Sequence, residues 1–268
     1  MATINNLLKV LSEQLFISYD SPEREKIRTS VDSIRKRLKS YFGNQILNIE
    51  LFGSYTRDTI LPRKFDENSD IDVMIIFNTN HEEYLPETYR NKLRRFAEYY
   101  YSNSEIYKDF PTVVLELNHI KFDLVPAIEK DYIFFSSLYI PNSQNEWTET
   151  NPKDLNNKLT KVNKNNNFII KPLIRLFKFW NVNNGKVYSS FELETNIIEI
   201  AKMWFFLKNY EDGFFSIIDK LPMWYLPDYK KSKVVSLKSN AERVKYYLKI
   251  DNLEKARQWL KKIIPFRN

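Results

Sequence analysis

The segment Asp70-Ile71-Asp72-Val73-Met74-Ile75-Ile76-Phe77 constrains this chain more than any other. Its apolar, β-branched run is short and reads as a strand covered on both faces. Two carboxylates open it, two residues apart. On a strand, positions i and i+2 project from the same face, so Asp70 and Asp72 converge. Hard oxygen ligands side by side suit Mg2+ or Mn2+. Just upstream, the strand pattern Ile46 to Phe52 runs into Gly53-Ser54. Gly53 lets a backbone lie close to a phosphate. Ser54 adds a hydroxyl donor, and the following residues read as the first turn of a helix, whose free N–H groups favour an anion.

A third carboxylate follows on a hairpin. Pro111 to Asn118 reads as one strand and Ile120 to Ala127 as its partner, with Asp123 interrupting the second apolar run. A charge there is expensive unless it is paired or bound to metal. If this strand neighbours the one beginning at Asp70, three carboxylates meet at one edge of the sheet. Their mutual repulsion is relieved by a pair of divalent cations. That arrangement supports two-metal phosphoryl or nucleotidyl transfer, with Asp70, Asp72 and Asp123 as metal ligands and catalytic residues. The chain has only two histidines, His81 and His119, and no cysteine. Cys–His catalysis and thiolate-bound zinc are therefore excluded or starved of candidates.

Gly-Ser, then Asp-x-Asp, then a later strand Asp resembles the polymerase-β-like nucleotidyltransferase superfamily. The stretches FGSYTRDTILP, SDIDVMIIF and FDLVPAI are similar to the cGAS/DncV-like nucleotidyltransferases (CD-NTases) of bacterial CBASS antiphage defence. In the second half, Lys171 to Asn181 and Tyr188 to Glu194 resemble that family's helical-domain signature. The likeness covers roughly residues 50 to 200. It implies that Lys178 and Ser190 face the triphosphate, and that Phe191 stacks on a base. Where relatives often have Ser-Tyr, this chain has Ser190-Phe191, which keeps the ring and drops the phenol. The resemblance implies two bound Mg2+ or Mn2+ ions, ATP or GTP as substrates, and a cyclic oligonucleotide product, with a lean to a dinucleotide. That product would be a second messenger acting on a separate effector.

The implied fold class is α+β: a nucleotidyltransferase lobe with a mixed sheet, then a helical lobe of the OAS/poly(A)-polymerase kind. A cluster of Pro141, Asn142, Ser143 and Pro152 places the boundary so that residues 1–145 form the catalytic lobe and 146–268 the nucleotide-binding lobe. The N-terminal helices are free to pack on both. The first helix covers roughly Thr3 to Phe16. The second opens with Ser21-Pro22-Glu23, carries the stripe Ile27, Val31, Ile34, Leu38 and Phe42, and stops at Gly43. Later helices are expected at Pro86 to Tyr101, Leu155 to Val162, Lys171 to Trp180, Phe191 to Tyr210, and Ala241 to Ile264 with a break near Ile250.

With 41 Lys plus Arg against 34 acidic residues, the chain carries +7. That suits nucleotides and leaves a nucleic-acid activator compatible. No apolar run is long enough for a bilayer and no signal pattern opens the chain, which fits a cytoplasmic protein without a membrane partner. Two arginines and a lysine-rich stretch read differently from the rest. Arg57 and Arg63 are phosphate neighbours or surface charges, and the stretch Lys230 to Lys238 is a solvated face. The competing activities are transfer to an RNA 3′ end, a small molecule or a protein hydroxyl, and a sensor with a dead site.

Overall fold

A computed structural model describes residues 3–79, 83–109, 111–132, 136–203 and 207–266. His81 lies outside them, as do positions 204–206 of the expected helix Phe191 to Tyr210. The chain divides into two compact units. One is Ile17–Asp154, continuous in sequence; the other joins Met1–Phe16 to Leu155–Asn268.

In the continuous unit, helix α2 (Pro22–Phe42) is delimited by residues chosen for the purpose. The Ser21 hydroxyl accepts from the Arg24 N–H at 3.2 Å, Pro22 takes the first helical position, and Gly43 ends the helix at φ 50. The predicted stripe Ile27, Val31, Ile34, Leu38 and Phe42 is buried throughout. Helix α4 (Pro86–Tyr100) adds Tyr89, Leu93, Phe96 and Ala97 to the same core.

These helices cover one face of a seven-stranded mixed sheet of order β1-β2-β5-β4-β3, with β6 on β5 and β7 on β6. The strands are β1 (Ile46–Phe52), β2 (Asp70–Phe77), β3 (Glu105–Asp109), β4 (Thr112–Glu116), β5 (Lys121–Asp131), β6 (Ser136–Pro141) and β7 (Trp147–Thr150). Among the described strands only the central β2–β5 pair is parallel; the others are antiparallel. Alternation then sorts the side chains. Ile71, Val73, Ile75 and Phe77 of β2, with Phe122, Leu124 and Ile128 of β5, enter the helix-covered core. The intervening residues face the other way: Asp70 and Asp72 first, then Met74 and Ile76, which form a smaller cluster with Ala127. Strands β3, β6 and β7 go beyond the sequence expectation, and β7 falls inside the stretch read as a boundary.

The second unit is helical. It contains α1 (Ile4–Gln14), α5 (Pro152–Asn165, from Leu155 on), α6 (Ile170–Asn183), α7 (Ser190–Met203), α8 (Tyr210–Lys220), α9 (Asp228–Lys249) and α10 (Leu253–Ile263). Helix α8 approaches α6 closely: a Cβ on Gly213 would stand 2.6 Å from Leu173 Cδ1. Beside it the Phe177 and Phe214 rings stack at 5.1 Å. The single helix expected from Phe191 to Tyr210 is corrected in its described part: α7 covers Ser190–Met203, residues 207–209 are not helical, and α8 starts at Tyr210. The last helical segment starts at Asp228, not Ala241, because Val234, Leu237, Ala241 and Val244 form one buried stripe. The break falls where expected, with Asp251 at φ 54. No described helix is long and apolar enough to cross a membrane.

Candidate active site

The parallel register sets Asp72 directly opposite Asp123, and Asp70 opposite Lys121. Paired residues on neighbouring strands share a face, so the three carboxylates occupy one patch at the start of β2 and β5. Phe52 pairs with Asp72 from the other side. The chain then turns at Gly53 into a short helix, α3 (Gly53–Thr56), with Gly53 at φ 72. A Cβ at Gly53 would lie 2.6 Å from Asp72 Cγ and overlap Oδ2. The glycine therefore lets the turn rest on the Asp72 carboxylate.

Both ends of the segment after this turn are fastened to the start of α2. The Arg24 guanidinium donates to Asp58 Oδ1 and to the Ile17 carbonyl, each at 3.2 Å, and sits 4.6 Å and 4.7 Å from the rings of Tyr19 and Tyr55. Tyr19 also donates its hydroxyl to Asp58 at 2.9 Å. Glu23 accepts the Arg63 N–H at 3.2 Å. The Ser54 carbonyl accepts from the N–H groups of Thr59 and Ile60 at 3.0 Å and 3.2 Å.

The Arg63 side chain donates to the carbonyls of Glu67 at 3.2 Å and Leu117 at 2.9 Å, and forms an ion pair with Glu116. It is thus a tie between the loop that enters β2 and the hairpin that enters β5, which the sequence reading did not find. No sequence signal marks such a contact, because its partners are distant along the chain. Arg57 is buried. His119 sits in the hairpin turn, its Nε2 3.0 Å from the Ser30 hydroxyl.

Among the described residues, no three His, Cys, Asp or Glu side chains stand as a ready-made metal cage. Lys121 Nζ lies 3.9 Å from Asp70 Oδ2. The donor set nevertheless fits a hard divalent cation: three carboxylates on one face, with Gly53 leaving Asp72 uncovered by a side chain. Asp70, Asp72 and Asp123 are the residues that could hold it.

The helical unit carries the other residues named from the sequence. Lys178, on α6, is only 6% exposed and forms an ion pair with the fully buried Glu194 of α7. The lysine is neither solvated nor bare. Its charge is matched inside the unit, as burial demands. Glu194 was not assigned from the sequence, although it carries a signal like that of Asp123: a carboxylate among the apolar positions Leu193, Ile197 and Ile198. Ser190 is the first residue of α7 and is exposed. The cap is Ser189, whose hydroxyl accepts the Glu192 N–H while its own N–H donates to Glu192, each at 3.2 Å. The Ser190 hydroxyl is thus not spent on capping. Phe191 is 64% exposed. Tyr188 donates its hydroxyl to the Pro222 carbonyl at 2.6 Å, and burial, with the nearby Tyr225 and Glu192, drives its pKa far above the ordinary 10.0. The structure thus places Asp70, Asp72, Asp123, Gly53 and Ser54 in one unit, and Lys178, Ser190 and Phe191 in the other.

A mixed sheet of this topology, with paired strand carboxylates behind a Gly-Ser turn and a helical unit in the same chain, defines the polymerase-β-like nucleotidyltransferase fold. The solved structure of Escherichia coli MS115-1 CdnC with ATP shares that fold over 99% of this chain and 98% of its own, at a TM-score of 0.74 and 10% identity. The chain belongs to the family of Second Messenger Oligonucleotide or Dinucleotide Synthetase (SMODS) domains, whose model matches residues 1–163. It is 28% identical over 217 residues to a probable cyclic nucleotide synthase of Bacillus cereus (strain VD146), an alignment covering 67% of this chain and 63% of that relative. It is also 32% identical over 114 residues to a cyclic AMP-AMP-AMP synthase of Acinetobacter sp. (strain ATCC 27244 / 9458), covering 41% of this chain and 32% of that one.

Proposed function

We propose that this chain joins nucleoside triphosphates, ATP and GTP foremost, into a cyclic oligonucleotide and releases pyrophosphate. The observation that carries the reading is the facing pair Asp72 and Asp123 on adjacent parallel strands, with Asp70 on the same face. Membership of the synthetase family and the names of its two relatives support it. In each transfer, a ribose hydroxyl oxygen of one nucleotide forms a bond to the α-phosphorus of another. The bond from that phosphorus to the leaving pyrophosphate breaks, and the hydroxyl proton passes to water.

Asp70, Asp72 and Asp123 fix where the reacting oxygens gather. Bound to them, a pair of Mg2+ or Mn2+ ions supplies activation of the hydroxyl and neutralisation of the pyrophosphate. Gly53 and Ser54 offer backbone N–H groups and a hydroxyl to phosphate oxygens. Lys178 and Ser190 are assigned to the triphosphate and Phe191 to a base, with Lys178 sharing its ammonium with Glu194. The proposed division of labour is catalysis in residues 1–145 and nucleotide binding in residues 146–268. The product is assigned as a second messenger of cytoplasmic antiviral defence, acting on a separate effector.

A ring of two is the first reading of the product. A ring of three is the second, favoured by the Acinetobacter relative, whose name specifies three adenylates. The test is to incubate the protein with all four NTPs and Mg2+ or Mn2+, treat with phosphatase and weigh the products by mass spectrometry. A phosphatase-resistant cyclic product is expected, and its mass gives the bases and ring size. Asp72→Ala should raise the barrier by about 3 kcal/mol or more, over two decades in rate. Near-normal turnover by Asp72→Ala would remove the carboxylate assignment. Nucleotide added to RNA or another acceptor would replace the synthase reading.

A further inference from the structure

The segment from Pro222 to Lys230 is wrapped around the start of α7 by three tethers. Tyr188 donates to the Pro222 carbonyl at 2.6 Å, Asn196 donates to the Tyr225 hydroxyl at 3.3 Å, and Lys230 Nζ donates to the Lys186 carbonyl at 3.0 Å. On this fixed segment the Trp224 ring is 80% exposed and stands edge-on to Tyr225, 5.0 Å between centroids. Phe191 and Tyr229 are exposed as well.

A single exposed apolar side chain needs no explanation. An exposed indole paired with a second ring on a tethered segment does, because aromatic area left in water is the usual mark of a ligand or partner surface. The surrounding charge selects the occupant. Over residues 186–194 and 222–233, Lys186, Lys230, Lys231 and Lys233 stand against Glu192, Glu194 and Asp228, and of these acids Glu194 is paired with Lys178 and Asp228 with Lys231. Flat rings beside ammonium groups match a nucleobase carrying phosphates, since every base has a face to stack and its phosphates are anionic. A lipid surface is met instead by a helix carrying its Trp, Phe and Leu along one long apolar face, whereas residues 221–227 are not helical.

We propose that Trp224 is a base-stacking residue for a bound nucleoside triphosphate, purine before pyrimidine because the larger ring covers more of the indole. This rests on the nucleotidyltransferase reading above and adds a residue to it. Tyr225 is its positioning neighbour, held by Asn196 and packed against the indole edge.

The test measures binding of α,β-methylene ATP and of inorganic tripolyphosphate to the full chain by equilibrium dialysis, for wild type, Trp224→Ala and Trp224→Phe. Trp224→Ala should weaken nucleotide binding about five- to a hundredfold, the range for losing one base–aromatic stack. Trp224→Phe should keep most of the affinity, and tripolyphosphate binding should not change. Nucleotide should quench tryptophan fluorescence in wild type and lose that component in Trp224→Phe. An exposed ring contributes little to the core, so unchanged melting temperatures serve as the folding control. Nucleotide affinity within twofold of wild type in Trp224→Ala overturns the proposal, and a shift in oligomeric state alongside it would give the patch to a protein contact. If wild type binds no nucleotide, the nucleotidyltransferase reading fails with it, an outcome distinct from a binder indifferent to Trp224.

Discussion

Gly53→Ala separates backbone strain from damage to the carboxylate patch. Gly53 stands at φ 72, where an alanine pays about 1–2 kcal/mol. Its Cβ would also overlap Asp72 Oδ2 and lie 2.6 Å from Cγ. The Asp72 side chain must turn away, adding about 1–3 kcal/mol of overpacking or off-rotamer strain. The total is about 2–5 kcal/mol, which for a unit of this size lowers the melting temperature by roughly 5–20 °C. Catalysis should suffer more than folding, because a carboxylate displaced by about 1 Å loses on the order of a hundredfold in rate.

Gly43→Ala is the internal control. Gly43 also has a left-handed φ, of 50, but nothing stands within 4 Å of its would-be Cβ. It should lose stability without losing the reaction. The assay is pyrophosphate release from NTPs, measured well below both melting temperatures and beside a thermal scan. Wild-type rates in Gly53→Ala would refute the argument, as would an equal loss of rate in both variants.

Two other contacts give sharp expectations. Glu194→Ala strands the Lys178 ammonium in a buried site and should cost about 3–5 kcal/mol in a urea titration; a loss below about 1 kcal/mol would mean that Lys178 finds water or another partner. Tyr188 has a folded pKa raised above its unfolded value of 10.0, so its contribution is fully present below pH 10 and is lost as pH rises beyond it, the unfolded chain ionising first. Tyr188→Phe should therefore cost about 1 kcal/mol at neutral pH, for the bond to Pro222, and flatten the fall in stability above pH 10. An unchanged alkaline slope would assign that fall to other groups.

The carboxylate patch was legible in the sequence because strand alternation is strict. Once β2 and β5 are neighbours, Asp70, Asp72 and Asp123 have no choice of face. Helix α2 was legible to the residue, since Ser21, Pro22 and Gly43 each act locally. What escaped depends on contacts between distant segments. Arg63 meets Leu117 and Glu116 only after the sheet has formed, and Lys178 meets Glu194 only after α6 packs on α7. The start of α9 escaped for another reason: its lysines mask the helical spacing of Val234 and Leu237. Strand β7 was hidden by brevity, its four residues pairing with β6 alone.

The grouping of α1 with the later helices sets an order on synthesis. The unit Ile17–Asp154 is continuous, so it can form as soon as its own residues have left the ribosome. Helix α1 is made first, yet Ile4, Leu8 and Leu11 are buried in a unit whose other members begin at Leu155. At cellular elongation rates that wait is on the order of ten seconds or more. Throughout it, an amphipathic helix trails from an otherwise finished domain with its apolar stripe uncovered. The stripe Ile4, Leu8 and Leu11 is covered only once residues from Leu155 onward have been made and have packed on it.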